Sequence, residues 1–303
     1  GDELTEILES IEKDSDYAEK PKSLMEIGVH VLPSFVKDTT DRNRTSPFAF
    51  TGNKFEFRML GSTLNIAGPN IVLNTIVAEE LGQFADILEK TDDFALTLNT
   101  LIKETIRDHK RIIFNGNNYS DEWVQEAERR GLHNYKSTVD ALPAFVEQKS
   151  IDLFVKHGVF SEVEIRSRYE ILLEEYSKTI NIEALTMVDM TRKQILPAVI
   201  EFAKAVCDAL ASKKCLGIEI DYSTEENLAR KVSCLESQLA VAVDKLEADL
   251  ITAKGVDGAY ENARYYHDTI FADMQSLRMV ADELETIVGD EFWPFPTYAD
   301  MLF

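Results

Sequence analysis

The chain has 303 residues, 45% hydrophobic and 28% charged with 8 prolines, a globular composition long enough for one or two domains and a substantial core. Acidic residues outnumber basic ones 54 to 32, a formal net charge of −22. That field repels phosphate backbones and anionic lipid surfaces, so nucleic acid and membrane are poor default partners. No apolar run reaches membrane-spanning length and no basic-then-apolar leader opens the chain, so a soluble protein is expected.

Residues 4 to 14 read as a short acidic helix, followed by a polar break from Asp14 to Pro21. The chain starts at Gly1 with no initiator methionine and enters this helix almost at once, which reads as a piece of a longer polypeptide. Leu24 to Leu32 alternates loosely and is predicted as strand, ended by Pro33. Residues 37 to 53 hold neither period and carry Asp, Thr, Asn, Arg, Pro and Gly, the composition of a functional loop. Lys54 to Leu60 alternates strictly and is predicted as a second strand.

Past Gly68 and Pro69 the period changes. Leu73, Val77, Leu81, Phe84 and Leu88 share one helical face, with Pro69 suited to the first helical position. A helix over about 94 to 111 turns Leu98, Leu101, Ile102 and Ile106 inward. Asn115 to Tyr119 is a turn, and Ser120 caps a short helix closed by Arg129-Arg130-Gly131.

From Thr138 onward the pattern is helical almost throughout. Ser161 to Glu164 and Ser223 to Glu226 each have capping-box spacing ahead of an apolar run. Pro197 should kink or break the helix within 182 to 212. Leu228, Val232, Leu235, Leu239, Ala242 and Leu246 step by fours and threes, a coiled-coil-like seam. Gly255 to Gly258 interrupts it and Tyr260 to Val288 repeats the pattern, which predicts an antiparallel helical hairpin. The tail from Phe292 to Tyr298 is aromatic and proline-locked, costly to leave in water, and should dock on the body or on a neighbouring subunit.

Cys207, Cys215 and Cys234 have no metal-ligand spacing, and the odd count suits a reducing compartment, hence a cytoplasmic setting. His30, His109, His133, His157 and His267 are scattered and read as surface or packed histidines rather than ligands.

The chemistry concentrates in the strand Lys54-Phe55-Glu56-Phe57-Arg58-Met59. Alternation places Lys54, Glu56 and Arg58 on one face and Phe55, Phe57 and Met59 on the other. Three mixed charges neutralise one another on a solvated face, which is one reading. The other is a face lining a site, with Glu56 a hard oxygen ligand for Mg²⁺ or Mn²⁺. Arg58 would then grip a carboxylate or a transferring phosphoryl group in two-pronged fashion, and Lys54 would add a point charge beside it. Arg42, Asn43, Arg44, Thr45 and Ser46 just upstream form a donor-rich cluster in a chain otherwise short of positive charge.

The block Asp41 to Arg58, reading DRNRTSPFAFTGNKFEFR, resembles the signature of type III glutamine synthetases. The resemblance continues through Asn115 to Trp123, Ala141-Leu142-Pro143, Asn181 to Ala184, Ile195 to Ala198 and Trp293 to Tyr298, and so covers essentially the whole chain. It implies that Glu56 binds metal. Arg58 binds the substrate glutamate and steadies the phosphoryl group, while Arg44 and Lys54 contact ATP phosphate. A second arginine carried by other types a short way further on is replaced here by Phe48-Ala49.

The implied reaction uses ATP, glutamate and ammonia and passes through γ-glutamyl phosphate, its barrier lowered by positioning and positive charge. The remaining metal carboxylates and most of the ATP site would lie upstream, so this chain alone should be inactive. The helical region would be a class-specific extension serving a homo-oligomer.

The expected fold is α+β and predominantly α. A small antiparallel strand remnant of a glutamine synthetase catalytic domain fills 1 to 135 with its accompanying helices, and a helical array ending in the long hairpin fills 136 to 303. The alternative functional reading is a non-catalytic helical assembly module; a related γ-glutamyl ligase using another amine shares the strand chemistry.

Overall fold

The fold was analysed in a computed structural model, which describes residues 2–15, 24–25, 35–36, 48–50, 55–57, 61, 64–114, 117, 119–296 and 300–301. The chain divides into two compact units, residues 1–135 with 153–159, and residues 136–152 with 160–303.

In the first unit, α1 (Asp2–Lys13) stops where Asp14 takes a positive φ of 58°, and Ser15 N–H reaches back to the Ser10 carbonyl at 3.0 Å. This is the left-handed helix stop with its six-residue closing bond. Strand conformation follows in two separate ladders. β1 (Leu24–Met25) pairs antiparallel with β2 (Phe35–Val36), and β3 (Phe48–Phe50) pairs antiparallel with β4 (Phe55–Phe57).

The expected α+β class is therefore corrected. The described residues are overwhelmingly helical, and no strand layer stands among them as a remnant of a larger sheet. Ladders of two and three residue pairs carry too few rungs and too narrow a face to build a layer, which takes three or more strands or a packed helix. Of the predicted strand over 24 to 32 only Leu24–Met25 is described as strand, and of Lys54 to Leu60 only Phe55–Phe57. Phe48–Phe50, placed in a loop from its sequence, is instead the partner of β4.

Three helices complete the unit, with the end of a fourth. α2 (Ala67–Leu88) begins two residues earlier than expected, so Pro69 is its third residue, where a missing N–H still costs no intrahelical bond. Its expected inward face is only partly covered: Leu73, Phe84 and Leu88 are half-buried, whereas Val77 and Leu81 are exposed. α3 (Phe94–His109) is capped by Asp93, whose carboxylate accepts the Leu96 N–H. Lys103–Asp14 at 2.7 Å and Lys110–Glu12 at 2.8 Å tie α3 to the end of α1.

α4 (Asp121–Arg129) ends at Gly131, whose φ of 71° is a conformation that a side chain would strain. Arg130 clamps this helix to the preceding loop, donating to the carbonyls of Arg111 (3.1 Å) and Ile113 (2.9 Å) and to Glu126 (2.6 Å). Its guanidinium lies over Trp123, which stacks on Phe114.

The second unit is built on long helical rods. α5 (Thr138–Ala141), capped by Ser137, leads into a short 3₁₀ turn over Leu142–Val146; α6 (Gln148–Lys156) starts in this unit and ends in the other. α7 (Glu162–Met190) opens with the predicted capping box: the Ser161 hydroxyl accepts the Glu164 N–H, and the Glu164 carboxylate accepts the Ser161 N–H. α7 runs through a single π-turn, Thr191–Ile195, into α8 (Leu196–Cys215). Pro197 lacks an N–H and its ring would strike the carbonyl four residues back, so the wider π-turn lets the rod continue where a kink or break was expected.

α9 (Ser223–Ala253) lays its predicted seam inward. Val232, Leu239 and Leu246 are fully buried, as are Val243 and Ala253. The predicted box at Ser223 does not form. Tyr222 is the cap residue, the Ser223 N–H is taken by Asp221 at 2.9 Å, and Glu226 pairs with Arg230. Gly258, at φ 89°, turns the chain into α10 (Ala259–Tyr265), a second π-turn (Tyr266–Ile270) and α11 (Phe271–Glu285). The positive φ favours glycine at 258, and a Cβ there would also displace the Glu261 carboxylate.

α9 packs against α8 and α11, and α7 against α10 and α9. One core runs through these rods, from Ile180 and Val199 through Leu239 to Ile270, Leu277 and Leu284. Each such side chain contributes roughly 1.5–3 kcal/mol by leaving water. The aromatic tail docks on this body: Phe292, Trp293 and Phe295 pack against the core, with Phe292 edge-on to Phe202 at 5.5 Å.

Candidate functional site

Of the residues singled out for chemistry, Glu56 is the described one. It is the middle residue of β4, half-buried, and stands in register with Ala49 of β3. The hairpin register thus sets against Glu56 the alanine of Phe48-Ala49, the dipeptide that replaces the second arginine. Arg44, Lys54 and Arg58 lie outside the described residues. Lys54 immediately precedes β4 and Arg58 immediately follows it, so covalent connectivity keeps both within two residues of Glu56.

The metal expectation meets a plain test in the donor set. Among the described residues no three His, Cys, Asp or Glu side chains converge on a position for an ion. Glu56 and its described surroundings do not by themselves fit a divalent cation, which takes six or more oxygens.

Other polar clusters tie elements together, and sequence reasoning had not singled them out. In the first unit, Glu79 of α2 accepts from Lys156 (2.7 Å), Gln83 (2.9 Å) and His157 (2.7 Å). Lys156, Gln83 and His157, in that order of effect, hold its carboxyl at about 2. His157 is thus a packed histidine, as expected. No local signal announces the pair, since 78 positions separate the partners.

In the second unit, Arg192 of the first π-turn reaches Glu247 at 2.7 Å and Asp244. Lys245 contacts Asp249 at 2.9 Å and also Asp273, and the Tyr265 hydroxyl donates to Asp249 at 3.2 Å. Burial pushes the Asp273 carboxyl up, while the Lys245 hydrogen bond holds Asp249 down. Asp273 falls in phase with the buried Ile270, Met274 and Leu277, so α11 carries it inward with that face. The three cysteines are free and exposed. Among the described residues no helix is long and apolar enough to cross a membrane.

Residues 97–214, from α3 to the end of α8, match the glutamine synthetase C-terminal domain. Over its whole length the chain is 41% identical to a glutamine synthetase of Butyrivibrio fibrisolvens and 37% identical to the type-3 glutamine synthetase of Dictyostelium discoideum. The chain carries the C-terminal domain of the type-3 glutamine synthetases.

A glutamine synthetase of Bacteroides fragilis is 32% identical, again over the whole chain. The chain spans 43%, 42% and 43% of the lengths of these three relatives. The likeness is not confined to the strand-bearing region, since the rods from α7 to α11 lie within the aligned length. The glutamine synthetase character of this chain therefore rests on both units, and the relatives sharing it are named as enzymes of which it covers only a part.

Proposed function

We propose that this chain is part of an ATP-dependent glutamate–ammonia ligase and contributes Arg44, Lys54, Glu56 and Arg58 to its active site. The observation that supports this most is the 41% identity to a glutamine synthetase running the full length of the chain. In the proposed reaction the γ-carboxylate oxygen of glutamate attacks the γ-phosphorus of ATP and the bond to ADP breaks. Ammonia then attacks the acyl carbon of γ-glutamyl phosphate, phosphate leaves, and a proton is lost to give glutamine.

Arg58 would bind the glutamate carboxylate and spread its N–H donors over the phosphoryl oxygens as charge builds there. Arg44 and Lys54 would hold ATP phosphate. Glu56 would offer one carboxylate to Mg²⁺ or Mn²⁺. A single described carboxylate does not make that site, so the other ligands must come from elsewhere in the enzyme, and the chain by itself is inactive.

In this reading residues 1–135 belong to the catalytic domain and 136–303 form a helical domain serving a cytoplasmic homo-oligomer. The three exposed free thiols support a reducing compartment. A second reading, a purely non-catalytic assembly module, is supported by the helical unit's self-contained core.

Glutamine synthesis by a longer protein that contains this chain separates the two, with Glu56→Ala and Arg58→Ala alongside. Loss by orders of magnitude in both, with circular dichroism unchanged, is expected. Near-normal turnover in both would return the strand to a solvated face and favour the assembly module.

A further inference from the structure

We propose that Asp249 and Asp273 share one proton, and that this proton closes a pH-sensitive clasp between α9 and the rod running from α10 into α11. Asp249 lies near the end of α9 and Asp273 in the first turn of α11. Lys245 reaches both, Asp249 Oδ2 at 2.9 Å and Asp273 Oδ1. The hydroxyl of Tyr265, the last residue of α10, donates to Asp249 Oδ1 at 3.2 Å.

Two carboxylates leave this cluster one donor short. Both Asp249 oxygens have a donor, whereas Asp273 Oδ2 is buried with none. The two carboxyl groups stand within side-chain hydrogen-bonding reach of each other. Carboxylates only accept, so a bond between them needs a proton. A proton on Asp273 Oδ2 supplies that donor and satisfies the buried oxygen. It also balances charge, because one ammonium faces two carboxyl groups and the proton leaves a single carboxylate to pair with it.

Environment assigns the proton to Asp273. Its side chain is 9% exposed against 25% for Asp249. Lys245 is its donor, whereas Asp249 has both Lys245 and the Tyr265 hydroxyl. Burial favours the neutral acid and donors favour the anion, so the Asp273 carboxyl is pushed up and Asp249 is held down.

Among the described residues the titratable groups facing Asp273 are Lys245 and Asp249 of α9 and Tyr265 of α10. α7 also packs on this rod, and it turns Ala184 and Val188 into the shared core. The π-turn that follows α7 commits Arg192 to Asp244 and Glu247.

The folded chain thus holds the Asp273 proton more tightly than the unfolded chain, where the ordinary value is 3.8. Its stabilising effect is complete below 3.8 and is lost as pH rises from there through the folded value. Asp249 acts in the opposite sense, contributing above 3.8 and losing as pH falls. Once Asp273 ionises, two carboxylates face one lysine and the α9–α11 contact loosens. This clasp lies within the helical unit and does not rest on the ligase reading.

The test is chemical denaturation of the 303-residue chain beside Asp273→Asn, from pH 3.8 upward. Asparagine keeps the shape and carries a permanent NH₂ donor in place of the shared proton. As pH rises the parent's denaturation midpoint should fall relative to that of Asp273→Asn and then level off. Asp249→Asn removes the anion that keeps the proton on Asp273, so this fall should vanish when Asp273 is replaced in that background. An ordinary Asp273–Lys245 ion pair gives the reverse sign, the parent gaining on Asp273→Asn as its carboxylate forms. Should a variant fail to fold, carboxyl-carbon NMR of the parent decides, with Asp273 expected to titrate above 3.8 and Asp249 below it. Both groups titrating below 3.8, parallel denaturation curves, or a parent that gains with pH overturns the shared proton.

Discussion

The two units differ in how the apolar stripe of their longest helix is covered: α9 of the helical unit buries a row of leucines and valines, whereas the matching stripe of α2 in the first unit is half-buried or exposed. In the helical unit the centre of the α9 seam is buried, with Val232, Leu239 and Leu246 at 0% exposure. In the other unit α2 is the more apolar helix by composition, yet Val77 and Leu81 are 52% and 60% exposed. Apolar content therefore does not decide burial. Partners do: α9 packs against α8, α11 and α7, while α2 packs chiefly against α3. A unit that closes its own core should carry most of the chain's intrinsic stability.

That contrast can be broken by measurement, and the largest effect belongs to the seam. Leu239→Ala should cost about 2–5 kcal/mol in chemical denaturation, because neighbours packed on both sides of α9 cannot collapse into the space. A loss under about 1 kcal/mol would mean the rods are loosely packed and the comparison is wrong.

A middle-sized effect separates two serines with the same motif. Ser161→Ala should cost about 1 kcal/mol, since it removes the hydroxyl that accepts the Glu164 N–H and donates to the Glu164 carboxylate. Ser223→Ala should fall within about 0.5 kcal/mol, because that serine lies inside the helix and Asp221 already takes its N–H. Equal losses would show that the second box forms after all.

The first unit's stability should depend on pH through Glu79. Its folded carboxyl sits at about 2 against an ordinary 4.5, so its contribution is complete above 4.5 and is lost as pH falls from there toward 2. Thermal unfolding of Glu79→Gln should accordingly lack the part of the acid-side slope that the parent shows in this window. Parallel curves for the two proteins would remove Glu79 from the account.

The smallest effect is the sharpest control. Leu81→Ala, on the exposed face of α2, should change stability by no more than about 0.5 kcal/mol despite being the same substitution as Leu239→Ala. A loss of several kcal/mol would place Leu81 in a core and erase the difference between the units.

Much of the architecture was legible because helices report themselves locally. The Leu228 to Leu246 seam, the Gly255 to Gly258 interruption and the Ser161 box each arise from spacings within a turn or two, and each stands in the structure. The strand region was legible in its chemistry and misread in its class. Alternation in Lys54 to Leu60 marks a strand without saying how many partners it will find, and among the described residues it finds one short partner, Phe48–Phe50. Of the candidate site, Glu56 was placed correctly in a strand; Arg44, Lys54 and Arg58 lie outside the described residues.

By itself the sequence determined which segments are helical, where the core seam of α9 lies, and a family likeness carried by a long donor-rich block. These follow from periodicity, capping chemistry and side-chain type, all of which act over a few neighbouring residues. Only the tertiary structure decided that Pro197 sits behind a π-turn, that one Ser-x-x-Glu caps its helix while the other does not, and that Asp273 is buried beside Lys245 of α9. Two of the pairings bring distant groups together, the Tyr266 hydroxyl onto Asn181 and Lys245 onto Asp273, whereas at Ser223 a neighbour two residues back, Asp221, takes the N–H. Sequence spacing does not encode the distant pairings, because they are settled by packing between elements dozens of residues apart.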